Sequence, residues 1–332
     1  MIQSTSTKTF QYDAKRRVTV DRAGLFLGFL LLLTLPLMVQ SNGYILQVFT
    51  HALLLATLAL AWNLLGVSGS ISLGHAAFFG VGAYGSALLS LEQGLSPWLT
   101  IPIAGLFATG LGLIVGLICL RLRGAYFALA TLAFVEIPRV ITDNWDALTR
   151  GSLGLVGISG FPTLRMGDWH VDFGSSITAS YYLVFVYSLV LLGLVTFVFR
   201  SNMGLALQAI REEEIAAESV GIHVNRYRLL SLMMSAFFTG VSGACYAHLV
   251  RYIEPGLVYG LHFSAIPMIF AICGGRFTIL GPAVAALVLY PVDQFIFHPL
   301  LPAGHEFLYG AVLILTVLFM PNGFWGRLRN AS

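Results

Sequence analysis

Apolar residues fill this chain in long unbroken runs, each closed by a polar break. Ten runs stand out: 24–40, 44–65, 71–91, 98–120, 124–141, 181–199, 229–250, 259–274, 277–296 and 305–320. A helix needs about 20 apolar residues to cross a hydrocarbon layer of roughly 30 Å, and most of the runs approach that length. Strands of a membrane barrel would alternate polar and apolar positions, and these runs do not alternate. The pattern predicts an all-α, polytopic transmembrane helical bundle of about ten spans. The eighth and ninth runs are separated only by Gly275 and Arg276, which form either a turn or a break in one longer segment.

Composition agrees with the pattern. The 332 residues are 57% hydrophobic and 10% charged, with a mean hydropathy of +0.84; a soluble domain is roughly 25% charged. The net charge of +3 implies no nucleic acid, and membrane lipid is the expected surround. With the N-terminus inside, 14 of the Lys and Arg fall on the cytoplasmic side and 4 (Arg139, Arg150, Arg165 and Arg251) do not. That bias predicts an even number of spans with both termini cytoplasmic. Trp98 and Trp325 stand at span ends, as interfacial aromatics do. The first run follows Lys15, Arg16, Arg17 and Arg22 without an A-x-A site after it, so it is expected to stay as a span.

The connections divide the chain further. Residues 1–23 read as a cytoplasmic tail, 24–325 as one transmembrane domain and 326–332 as a second cytoplasmic tail. Two connections are long. Residues 142–180, external, carry Asp143, Asp146, Asp168 and Asp172; residues 200–228 are internal.

The internal connection holds most of the chemistry. In Arg211–Arg228, seven of the eighteen residues are charged. "NMGLALQAIREEEIAAESV" predicts a helix of about five turns with Leu207, Ile210, Ala217 and Val220 near one face. Glu212, Glu213 and Glu218 lie largely elsewhere, and Gly221 fits the left-handed position after a helix end. A helix lying on headgroups presents Lys and Arg. This acidic one points to a protein partner, the plainer reading being a solvated linker.

Three other stretches break the apolar pattern. "GVSGSISLG" (66–74) is too rich in Gly and Ser for a regular helix, and irregular backbone at membrane depth needs protein or a watery cavity around it. Ser70, Ser72, Gly74 and His75 are therefore candidates for a translocation path, against the alternative of a tight turn between spans. Beyond it, Ala76-x3-Gly80 and Gly82-x3-Ser86-x3-Ser90 are small-residue patterns that permit close helix packing. Glu136 and Arg139, three residues apart beside Pro138, are ionisable groups within a span, where path residue and structural ion pair compete as readings. "ICGGRFTILGP" (272–282) places Gly274 and Gly275 at a turn or a half-helix hairpin, with Arg276 at the cytoplasmic surface.

Enzyme chemistry finds no support. The eight His form no HxxxH or HExxH pair, and Cys119, Cys245 and Cys273 form no CxxC, so no metal site or disulfide framework is expected. A P-loop requires a Lys at the phosphates, and Lys8 and Lys15 are the only lysines. Uphill transport by this chain would draw its energy from another subunit. The alternative is an ion-coupled secondary carrier with Glu136 in its coupling site.

Five motifs in order make the chain resemble the M-type permease subunits of branched-chain amino acid ABC importers. They are "SLGHAAFFGVGAY" (72–84), "LRLRGAYFALATLAFVEI" (120–137), "GSLGLVGI" (151–158), "AIREEEIAAESVGI" (209–222) and "GGRFTILGP" (274–282). The resemblance spans roughly residues 50–325 and implies a multi-pass protein of the bacterial inner membrane. "EIAAESVGI" is similar to the family's EAA loop. This implies that Arg211, Glu212, Glu213, Glu214, Ala216, Ala217, Glu218 and Gly221 couple to an ATPase. The implied partners are two ABC ATPase subunits carrying ATP and Mg, a second, non-identical permease and an external solute-binding protein docking on 142–180. This chain would hold no cofactor itself. Arg150 and Phe277 depart from the family pattern, which commonly has Gly at both positions. Urea, short amides and aromatic acids are carried by relatives and stand beside branched-chain amino acids as possible substrates.

Overall fold

The computed structural model describes residues 22–39, 42–166, 169–174, 176–302, 304–320 and 323. Residues 1–21, the C-terminal tail 326–332, Asp168 and Trp325 lie outside the described residues. The chain runs α1 (Arg22–Met38), α2 (Gly43–Gly66), α3 (His75–Gln93), α4 (Pro97–Cys119), α5 (Ala125–Asn144) and a short α6 (Asp146–Thr149). Strands β1 (Leu155–Val156), β2 (Leu164–Met166) and β3 (Trp169–Val171) precede α7 (Ile177–Arg200), α8 (Asn202–Glu212), α9 (Glu214–Ser219) and α10 (Val224–Val250). The last part is β4 (Tyr252–Ile253), α11 (Pro255–Val258), α12 (His262–Gly274), α13 (Gly281–Val292), α14 (His298–Leu300) and α15 (His305–Phe319).

Seven helical stretches among the described residues are long and apolar enough to cross a membrane. That number is smaller than the ten runs. Each run does contain a helix, but α1 has 17 residues and α15 has 15, and the 19-residue α3, which begins only at His75, is less apolar because of its Gly, Ser, His, Glu and Gln residues. The run 259–274 is helical only from His262, and together with the one-turn α11 it forms the Pro255–Gly274 stretch counted among the seven. The run 277–296 becomes α13 from Gly281 and passes into a π-helical turn over Asp293–Phe297.

Helices α2, α3 and α10 form the centre. The α10 helix packs on α2, α3 and α4, while α2 also touches α7, α12 and α13. Small residues permit this approach. A methyl group at Gly82 would collide with the Gly240 carbonyl, and one at Gly243 with the Phe79 carbonyl. Phe79 stacks on Phe263 with centroids 4.0 Å apart, joining α3 to α12. Further out, α4 turns Leu106, Phe107, Leu113, Ile114, Leu117 and Ile118 outward, an apolar belt fit for lipid.

The connections gather at two ends of the bundle. At one end lie the α2–α3, α4–α5 and α12–α13 links together with α8 and α9, tied by the Glu214 pairs with Arg123 and Arg228, by Arg211 over Phe277 and by Gly69 beside Arg211. At the other end β1 pairs antiparallel with β4, Leu155 opposite Ile253, and β2 pairs with β3. There Arg251 closes α10 in a left-handed conformation and donates to the Gly174 carbonyl. Arg150 is also left-handed, at φ 60°. Such a conformation costs a non-glycine residue about 1–2 kcal/mol.

Candidate functional site

The charged connection is two helices, not the single five-turn helix its periodicity predicts. Glu213 is extended (φ −157°, ψ 109°) and separates α8 from α9. Its N–H still bonds the Ala209 carbonyl, ending α8, and its carbonyl accepts from Ala217, starting α9. The break falls among three consecutive glutamates, and it lets Glu214 turn inward while Glu212 and Glu213 stay outside. Leu207, Ile210 and Ala217 are buried as expected, anchoring the unit. Val220, expected on the same face, is 76% exposed, because it follows the break and sits in the turn that ends α9. Gly221 takes φ +89°, and two bonds close the helix: Gly221 N–H to Glu218 O and Ile222 N–H to Ala217 O, both 3.0 Å. The outward face presents Glu212, Glu213, Ile215, Ala216, Glu218 and Val220.

Arg211 links this unit to two other connections. Its guanidinium lies 4.2 Å from the centroid of Phe277, with Arg276 at 4.5 Å from the same ring. Its Nε donates to Glu212 at 3.0 Å. Gly69, at φ +83°, brings the α2–α3 link against the Arg211 side chain. Desolvation, and secondarily the Arg211 charge, push the Arg276 guanidinium below its usual value.

The Gly-Ser stretch is held from several helices. The Trp62 indole donates to the Ser72 carbonyl at 2.9 Å, and Thr131 of α5 receives the Leu73 N–H at 3.1 Å. His75 shares a 2.8 Å hydrogen bond with Ser235 of α10, and the Ala76 N–H donates to Ser264 of α12 at 2.9 Å. These bonds satisfy the backbone and hydroxyl groups freed where the helix is interrupted. Ser72, Gly74 and His75 are buried; Ser70 is half-buried and accepts from Ser68. A methyl at Gly74 would stand 2.9 Å from the Thr131 carbonyl.

Glu136 is not brought to this cluster. It lies on the exposed face of α5, 3.2 Å from Arg139, beside the exposed Ile137, Val140 and Ile141. Gly274 and Gly275 form a tight turn in which α12 and α13 fold against each other, with Gly275 at φ +108° and Gly274 pressed on Gly281. Thr278 Oγ1 donates to the Gly275 carbonyl at 2.7 Å, and Asn63 reaches the Thr278 carbonyl at 2.9 Å. The residues between the two runs are thus a turn.

Arg123, Arg228, Thr131, Ser235 and Ser264 belong to this site although the sequence did not single them out. Arg123 and Arg228 are legible only as topology-setting cations. The three hydroxyls sit singly in apolar runs, where spacing gives no sign of their distant partners.

Comparison with known proteins places this geometry. The family model described as branched-chain amino acid transport system / permease component matches residues 44–317. The high-affinity branched-chain amino acid transport system permease protein LivM of Escherichia coli K12 is 32% identical, over 90% of this chain and 74% of that protein. LivH of Salmonella typhimurium, from a system of the same description, is 25% identical over 82% of this chain and 91% of its own length. The autoinducer 2 import system permease protein LsrC of an Enterobacter strain is 27% identical, over 86% and 79% respectively. No solved structure matches the chain. The reading as a self-contained ion-coupled carrier gains no support from these relatives. With its polytopic helical fold, its interrupted α2–α3 link and its short acidic helix pair, this chain belongs to the family of branched-chain amino acid transport system permease components.

Proposed function

We propose that this chain moves branched-chain amino acids, or small polar solutes related to them, across the bacterial inner membrane as one permease of an ATP-driven importer. The substrate class rests on what the LivM and LivH relatives are named for. In this reading ten helices cross the membrane, with α1, α3 and α15 added to the seven, and the end bearing α8 and α9 faces the cytoplasm with both termini. Two ATPases carrying ATP and Mg supply the energy, a second permease completes the path, and an external binding protein docks on the 142–180 side.

The observation that carries the proposal is the outward face of α8 and α9. It combines three glutamates with exposed Ile215 and Val220 at the arginine-rich end. A solvated linker has no use for that pairing; a protein groove accepts both the charge and the apolar area. Ser70 and Glu136 face the solute's route, whereas Ser72, Gly74, His75, Gly274 and Gly275 govern it from the packed interior. An ion pair on an outward face of a span is costly against lipid, so the α5 face around Glu136 and Arg139 turns to the path or to the second permease.

Co-purification in mild detergent with this chain as bait tests the proposal. P-loop ATPases and a second, different permease are expected, and Glu213→Lys is expected to lose the ATPases while keeping the permease. Recovery of this chain alone, under conditions that hold a known importer together, would count against it.

A further inference from the structure

The four glutamates of the coupling segment do not share one task. We infer that Glu214 is the internal pin through which movement of α8 and α9 reaches α5 and α10, and that it is not offered to the ATPase. This rests on the importer reading above and assigns a positioning residue within it.

The geometry separates Glu214 from its neighbours. Its side chain is 21% exposed, against 67% for Glu212. Each carboxylate oxygen is committed to a different element: Oε1 lies 3.2 Å from Arg123 Nη2 and Oε2 lies 3.1 Å from Arg228 Nη2. Arg228 belongs to the first turns of α10, the helix packed on α2, α3 and α4. Arg123 stands one residue before Gly124, whose φ of +56° opens α5. The α5 helix is covered on one stripe (Phe127, Thr131, Val135, Pro138 and Thr142), and it bears both Glu136 and the Thr131 hydroxyl that holds the Gly-Ser link.

Among the described residues the apolar anchorage of α9 is small: Ala217 packs with Ile210 and Val224. That contact joins α9 to α8 and to the start of α10, but does not reach α5. The Glu214–Arg123 pair therefore carries the connection from α9 to the α4–α5 link. A displaced α9 pulls on a central helix and on a sparsely covered one through one carboxylate. Two ion pairs from one half-buried carboxylate to two different elements fix its position better than one small apolar contact does. Removing the charge at Glu214 releases both arginines at once, while Glu212, Glu213 and Glu218 still face outward.

The test uses the whole complex in liposomes, reading solute taken up per ATP hydrolysed, together with ATPase co-purification and basal hydrolysis. Glu214→Gln is expected to lower the uptake ratio about tenfold, within the usual range of a coupling free energy, with ATPase binding and basal hydrolysis retained. Arg123→Gln combined with Arg228→Gln is expected to do the same. All three changes together should be no worse than either set, since residues acting as one unit are non-additive. Arg123→Gln alone, at a side chain 71% exposed, should lower the ratio without touching assembly, which keeps the test open if Glu214→Gln does not fold. A wild-type ratio in Glu214→Gln or in Arg123→Gln, losses that multiply in the triple variant, or loss of ATPase binding in Glu214→Gln would each overturn the pin. A wild-type complex that recovers no ATPase overturns the importer reading, and the pin with it.

Discussion

At Gly74 the backbone of the α2–α3 link passes so near α5 that an added side chain meets the Thr131 carbonyl. That contact, the Leu73–Thr131 bond and the His75–Ser235 bond make the link a packed joint. Overpacking such a site costs about 1–3 kcal/mol. Gly74→Leu is therefore expected to lower uptake severalfold while the complex still assembles. Gly193→Leu, at a position with open space around it, should leave uptake unchanged. Radiolabelled uptake with matched membrane expression checks both. The sequence showed that this stretch is irregular, since Gly and Ser crowd it, but not what holds it. The holding groups are single Thr and Ser residues 58 to 188 positions away, and spacing within a run carries no trace of such pairs.

Among the elements, the helix pair α8 and α9 bears most of the functional argument. Its C-terminal stop was legible in the sequence, because Gly221 is where a left-handed residue belongs and φ there is +89°. The break at Glu213 was not. Helical periodicity runs through 202–219 without interruption, and at the break Glu214 turns to tertiary partners, Arg228 in the next helix and Arg123 in the distant α4–α5 link. Gly221→Pro removes the Gly221 N–H to Glu218 bond and demands φ near −65°, so it should unwind the end of α9. Open space surrounds this glycine, so the effect comes from conformation and not from collision. The expected result is ATP hydrolysis retained and uptake lost. Equal ATP-coupled uptake in the variant and the parent would show that the end of α9 does not matter for coupling.

For the whole molecule, the all-α class, the apolar runs and the two-ended distribution of arginines could be read directly, because each depends on composition over tens of residues. Among the described residues seven stretches satisfy length and apolarity together. The runs of α1, α3 and α15 fall outside that set, because α1 and α15 have 17 and 15 residues and α3 carries Gly, Ser, Glu and Gln along its length. Turning at Gly275 instead of crossing as one rod brings Phe277 beside Arg211, and thereby gathers three connections around the helix pair. In the proposed reading, the end bearing α8 and α9 receives the push of the ATPases and the α5 face lies toward the solute or the second permease.

The most direct measurement of that account is uptake of labelled leucine into liposomes holding this chain, its partner permease and the ATPases, with the binding protein present. The account predicts uptake that requires ATP on the side of α8 and α9 and that ceases when the ATPases are omitted. Uptake by this chain without the ATPases, driven by a proton or sodium gradient, would contradict it.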